Sequence, residues 1–145
     1  MQTGRPPEPV PQGKANAIVE WIASGQTLRE FCRQEGNPSY GAVYDWIEKD
    51  EAFASRFAHA RAVGEDVIAQ ECLEIADNGT NDWVETKFGP QVNKEHIQRS
   101  KLRVDTRLKL LAKWNPKKYG DTAKLQLTGE EGGPLIVKHI GSDGE

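Results

Sequence analysis

Arg99, Arg103 and Arg107 stand four residues apart, and Lys109, Lys113 and Lys117 repeat the spacing. On a helix each set forms one stripe of fixed positive charge, which suits phosphate or carboxylate partners. Residues 96–120 hold 8 basic groups and 1 acidic group, a segment charge of +7 in a chain of 145 residues whose total is −3. The bland alternative is pairing with residues 51–77, where 2 basic groups face 6 acidic ones. More cations lie upstream. Arg29 and Arg33, one turn apart, suit phosphate, with a plain solvated helix face as the alternative. Arg5, in Gly4-Arg5-Pro6, is placed like an arm residue that enters a minor groove, and Lys14 joins this candidate DNA-binding set. Gly41, Ala42, Tyr44, Asp45, Glu48 and Lys49 form the outer face of one short segment. Gly41 permits close approach to a groove, and Tyr44 either contacts DNA or serves as a half-buried structural tyrosine. Two carboxylates against the single ammonium of Lys49 match phosphate poorly.

Catalytic chemistry leaves little trace. His59, His96 and His139 are far apart, without zinc-ligand spacing. Gly129, Gly132 and Gly133 are not followed by Lys-Ser or Lys-Thr, so no phosphate-cradling loop is indicated. Cys32 and Cys72 fall on apolar helix faces and offer neither a disulfide framework nor a zinc pattern. The expectation is a non-enzyme without cofactor or metal. A mean hydropathy of −0.69 and the lack of a long apolar run argue against a membrane span. Met1 to Gln12, with four prolines, does not read as a signal peptide. The chain reads as a soluble protein of a reducing cytoplasm.

The elements that must position these residues are mostly helices. Lys14 to Ser24 carries Ala17, Ile18, Trp21 and Ile22 on one face, and Gly25 stops it. Thr27 caps a second helix to about Gln34, with Glu30 completing a capping box and Leu28, Phe31 and Cys32 buried. Gly36 and Pro38 make a turn. Ser39 then caps Tyr40 to Lys49, whose inner face is Val43, Trp46 and Ile47. Two short helices joined by a Gly-containing turn behind a supporting helix have the layout of a helix-turn-helix unit.

Asp50 caps a longer helix reaching about Asp77, ended by Asn78-Gly79, with Phe53, Phe57, Ala60, Gly64, Val67, Ile68, Cys72 and Ile75 at helical steps. Residues 81–94 read as a short hairpin or loop. A second long helix, Glu95 to Asn115, closes at Pro116. Its core stripe is Ile97, Val104, Leu108 and Leu111, while Leu102 and Leu110 point to the opposite side. A helix apolar on two sides wants two neighbours, one of them a second copy of the chain. Leu125 and Leu127 alternate with polar residues, Gly129 to Pro134 turns the chain, and Leu135-Ile136-Val137 begins another strand. Such a hairpin is marginal alone and calls for neighbouring subunits; a disordered tail is the alternative.

The expected fold class is therefore mainly α: an N-terminal helix-turn-helix domain, a central long antiparallel helix hairpin for ring oligomerisation, and a short C-terminal β-hairpin. The expected boundaries are a flexible Pro-rich arm over 1–13, the DNA-binding domain over 14–50, the oligomerisation domain over 51–120 and a C-terminal β segment over 121–145.

Leu102-Arg103-Val104-Asp105-Thr106-Arg107, followed by Asn115-Pro116-Lys117-Lys118-Tyr119-Gly120-Asp121, resembles the small terminase subunits of tailed bacteriophages, in the group typified by a short-tailed Shigella phage. The Gly4-Arg5-Pro6 arm, Trp46-Ile47 and Phe53 to Arg61 support the likeness, which covers residues 4 to 125. It implies a non-enzymatic DNA-recognition component of a viral packaging motor, acting in the host cytoplasm. Its implied partners are double-stranded viral DNA, the large terminase subunit with its ATPase and nuclease, and copies of itself in a ring of about 8 to 10 subunits. In such a ring the helix-turn-helix units stand at the rim, long helices build the wall and C-terminal strands form a collar. Leu102, Arg103, Arg107, Leu110, Leu125, Leu127 and Ile136 then become candidate oligomer contacts. The chain departs from the pattern at Ala42 and Asp45, where a Thr and a basic residue are frequent, and in the 81–94 elaboration. A dimeric helix-turn-helix transcriptional regulator and an oligomeric assembly protein that binds no DNA are the alternatives; the acidic third helix opposes the first.

Overall fold

The computed structural model describes residues 9–121 and 132–134. The chain is mainly helical: α1 (Gln12–Ala23), α2 (Leu28–Arg33), α3 (Tyr40–Lys49), α4 (Glu51–Asp77), β1 (Trp83–Thr86), β2 (Gly89–Val92), α5 (Lys94–Trp114) and α6 (Pro116–Tyr119). The expected C-terminal β-hairpin, with Leu125, Leu127 and Ile136, lies outside the described residues, as does Arg5.

Every helix from α2 onward begins at a side-chain cap. Thr27, Ser39, Asp50, Asn93 and Asn115 each accept a backbone N–H from the first turn, at 3.0–3.3 Å, each cap contributing about 1 kcal/mol to helix stability. Only half of the expected capping box forms. Thr27 accepts from the Glu30 N–H, while the Glu30 carboxylate lies 3.6 Å from Arg33.

Helices α1 to α3 and the first half of α4 enclose one apolar core, with Ile18 and Val43 fully buried beside Ile22, Leu28, Phe31, Phe53, Phe57 and Ala60. Trp46 meets Phe53 edge-on at 6.4 Å. Two side chains fasten the short helices: Trp21 Nε1 donates to the Thr27 carbonyl at 2.8 Å, and Asn37 Nδ2 to the Phe31 carbonyl at 2.8 Å. Val10, expected in the free arm, is buried in this core, and α1 begins at Gln12. Ala15 rather than Ala17 faces inward on α1.

Gly25 leaves α1 with φ +86°, and its neighbourhood fixes the crossing of α1 over α4. A side chain at Gly64 would overlap the Ile22 carbonyl oxygen, so only hydrogen there lets the two backbones meet. Gly79, by contrast, needs no positive φ. Helix α4 ends through Asn78, whose N–H bonds the Glu74 carbonyl and whose side chain accepts the Thr80 N–H.

The second half of α4 runs antiparallel to α5, since Glu71 meets Arg107 and Glu65 meets Asn115. The seam differs from the expected stripe. Leu111 is fully buried and Val104 partly so, but Ile97 and Leu108 are 41% and 50% exposed. Helix α5 is turned so that Ser100, Val104, Arg107 and Leu111 face α4, and the Arg107–Glu71 pair at 3.1 Å occupies the place an apolar row would take. Between the long helices, β1 and β2 pair antiparallel, Trp83 opposite Val92 and Thr86 opposite Gly89. The chain therefore reverses at Lys87-Phe88, and Gly89-Pro90 lies within β2 rather than forming the turn.

Helix α6 folds back on α4, where Lys118 Nζ and the Tyr119 hydroxyl both reach Asp66 Oδ1. Lys118 first and Tyr119 second hold the Asp66 carboxyl below the usual carboxylate range. This contribution is present above the ordinary Asp pKa and is lost as pH falls through the depressed one. Tyr119 NMR signals should accordingly shift to a released position in acid, and in Asp66→Asn they should keep that position at neutral pH. Gly64→Ala should lower stability by about 2–4 kcal/mol through forced separation of α1 and α4, read as a fall in Tm; a Tm equal to that of the parent chain would refute the close approach.

Candidate nucleic-acid interface

Helix α2 begins at Leu28 and α3 at Tyr40, so their first turns come together at one end of the helix-turn-helix unit. There the Arg29 guanidinium lies 5.5 Å from the centre of the Tyr40 ring. Tyr40 and Tyr44, one turn apart, pack with ring centroids 4.7 Å apart, planes tilted by 49° and hydroxyls 3.1 Å apart. That hydrogen bond, with partial burial, raises the Tyr44 pKa above its ordinary value, so the phenol remains a neutral donor. Arg61, from α4, lines the same cleft of about 320 Å³ as Arg29, Tyr40 and Tyr44. Neither Tyr40 nor Arg61 is singled out by sequence motifs. The Tyr40/Tyr44 spacing is a legible signal, whereas Arg61 reaches the cleft only through the α1–α4 crossing.

The other candidates are dispersed. Arg33 points away from the cleft and pairs with Glu30. Lys14 Nζ donates to Asn37 Oδ1 at 3.1 Å, joining α1 to the α2–α3 turn. Gly41 is exposed with open space where a side chain would stand, and Lys49 is exposed at the far end of α3. Asp45 and Glu48 are also exposed, so the outer face of α3 is acidic. Tyr44 is half-buried, 38% exposed with its ring against Tyr40.

Helix α5 supplies a second surface. Leu102, Leu108 and Leu110 are 55%, 50% and 39% exposed, with Arg103 exposed among them. Arg107, expected at an oligomer contact, is instead bound within its own chain to Glu71 and to the Arg103 carbonyl. Among the described residues there is no group of three His, Cys, Asp or Glu side chains that could hold a metal ion, and no helix is long and apolar enough to cross a membrane.

A family model described as Bacteriophage Sf6, terminase small subunit-like matches residues 10–126. The chain belongs to this family of terminase small subunits. Three solved structures of the terminase small subunit gp1 of the bacterial virus Sf6, each a single-substitution variant, are similar to it at 30% identity. The first is covered over 98% of its length by 95% of this chain with a TM-score of 0.60. The other two are covered over 98% by 99% of this chain, with TM-scores of 0.57 and 0.58. No match is found among curated proteins. As a phage terminase small subunit, the chain takes part in genome packaging.

Proposed function

We propose that this terminase small subunit is the ring-forming DNA-recognition component of a packaging motor. It binds double-stranded viral DNA and recruits or regulates the large subunit, which supplies ATPase and nuclease, so that this chain itself catalyses nothing. It works in the host cytoplasm during packaging. The observation that carries the reading is the exposure of Leu102, Leu108 and Leu110 on a helix whose other side already packs on α4. Each leucine is already about half buried in its own chain, so covering it with a neighbouring copy adds roughly 1 kcal/mol, and three per subunit contribute toward closure around an axis. Leu125, Leu127 and Ile136 are proposed to add contacts from the C-terminal segment, with Arg103 at the edge of the interface.

Ring closure also answers the weak charge of each DNA-binding unit. With Asp45 and Glu48 on the outer face of α3, one subunit holds DNA loosely, and several copies on one duplex multiply the effect. Arg29, Arg33, Lys14 and Arg5 are proposed as phosphate or groove contacts, with Gly41, Tyr44 and Lys49 nearby. The same two carboxylates favour a second reading, an assembly protein that binds no DNA.

Leu102→Asp combined with Leu110→Asp should reduce the particle to small species that remain helical, as read by native mass spectrometry and circular dichroism; unchanged mass would sink the interface. Arg29→Ala with Arg33→Ala should weaken duplex binding about tenfold or more for all sequences alike, and binding by the parent chain should fall steeply as salt rises. Absence of duplex binding by the parent chain at low salt would favour the assembly reading.

A further inference from the structure

The geometry points to the flank of the helix-turn-helix, rather than the outer face of α3, as the surface that grips DNA: Arg29, Arg61 and the Tyr40–Tyr44 pair form one seat for a backbone phosphate of duplex DNA. The inference rests on the DNA-binding reading above and deepens it by naming the contact.

Charge makes the choice between the two surfaces. The outer face of α3 presents Gly41, Asp45, Glu48 and Lys49, and its carboxylates repel phosphate. The flank has the opposite character. Among the described residues, neither Arg29 nor Arg61 has a carboxylate within salt-bridge distance. Glu65, one turn beyond Arg61, lines the same cleft, but its carboxylate accepts from Asn115 Nδ2 at 3.2 Å rather than pairing with Arg61, so two guanidiniums face one carboxylate there and the balance is positive. Arg29 is held over the Tyr40 ring, so part of the ordering cost of its long side chain is already met.

The tyrosines contribute a donor. One proton serves the 3.1 Å bond between the two hydroxyls, and the other remains free to donate outward. Two guanidiniums, one of them held over a ring, and one phenol proton around a cleft of about 320 Å³ suit the charge and the acceptor-only character of a phosphodiester. The cations come from α2 and α4, which pack with α1 and α3 around one apolar core. A phosphate seated there would set the register of α3 on the duplex without reading any base.

The test is duplex binding by fluorescence anisotropy across a salt series, with oligomer mass and circular dichroism checked for each variant. Arg61→Ala should weaken binding about tenfold, equally for unrelated sequences, and lower the salt slope by about 0.9 for each subunit engaged. Arg61→Lys should restore part of the loss and Arg61→Glu should deepen it. Lys87→Ala, on the β1–β2 turn, should bind as the parent chain does. Arg29→Ala gives an independent reading from another helix should an Arg61 variant misfold. If the parent chain binds DNA and the Arg61 and Arg29 variants bind equally well, the seat is refuted while DNA binding stands; that outcome is also expected if the cleft takes a carboxylate-bearing protein segment. If the parent chain binds no duplex at any salt, the DNA-binding reading falls and this inference with it.

Discussion

The contact of α4 with α1 at Gly64 is the constraint on which the remaining structure depends. One helix of 27 residues does two jobs: its first half closes the helix-turn-helix core and its second half carries α5. The two jobs stay in fixed relation only if α1 lies against α4 without a side chain between them, and the Ile22 carbonyl occupies the space a Cβ would need. Gly25, at positive φ, lets the chain leave that contact at once and start α2. The position of Arg61 beside Arg29 and the Tyr40–Tyr44 pair follows from the same crossing.

Around this contact the molecule separates a well-filled apolar core from a sparsely apolar seam. The core of α1 to α4 is built mainly from large side chains buried almost completely. The α4–α5 seam instead relies on Leu111, partly buried Val104, the Arg107–Glu71 pair and the Asp66 latch. Pairs this exposed add little each, so α5 gains its footing from many small terms. A helix held in this way keeps leucines on its far side, and that leftover surface suits it to assembly.

Much of this was legible in the chain. Caps at Thr27, Ser39 and Asp50, together with the glycine at position 25, mark helix ends because each supplies a local backbone requirement that neighbours in sequence can reveal. The outward direction of Leu102 and Leu110 was also readable, as it depends only on the helical period. Less legible was the rotation of α5 about its own axis. Ile97 and Leu108 lie within one turn of the buried row, but α5 is rotated so that they face outward and Arg107 meets Glu71, 36 residues away. The burial of Val10 and the turn at Lys87-Phe88 escaped for the same kind of reason, since each is set by a partner remote from the local pattern.

The sequence by itself determined the order of the five longer helices, their boundaries to within about two residues, the helix-turn-helix rhythm and the motif that marks the terminase small-subunit family, because caps, glycines and hydrophobic period act over a few residues. Tertiary structure alone decided which cations are free. Arg107 is bound to Glu71 across the α4–α5 seam, while Arg29 and Arg61 share an open cleft. Charge can be counted along a chain, but whether a charge is spent internally depends on distances that only packing sets.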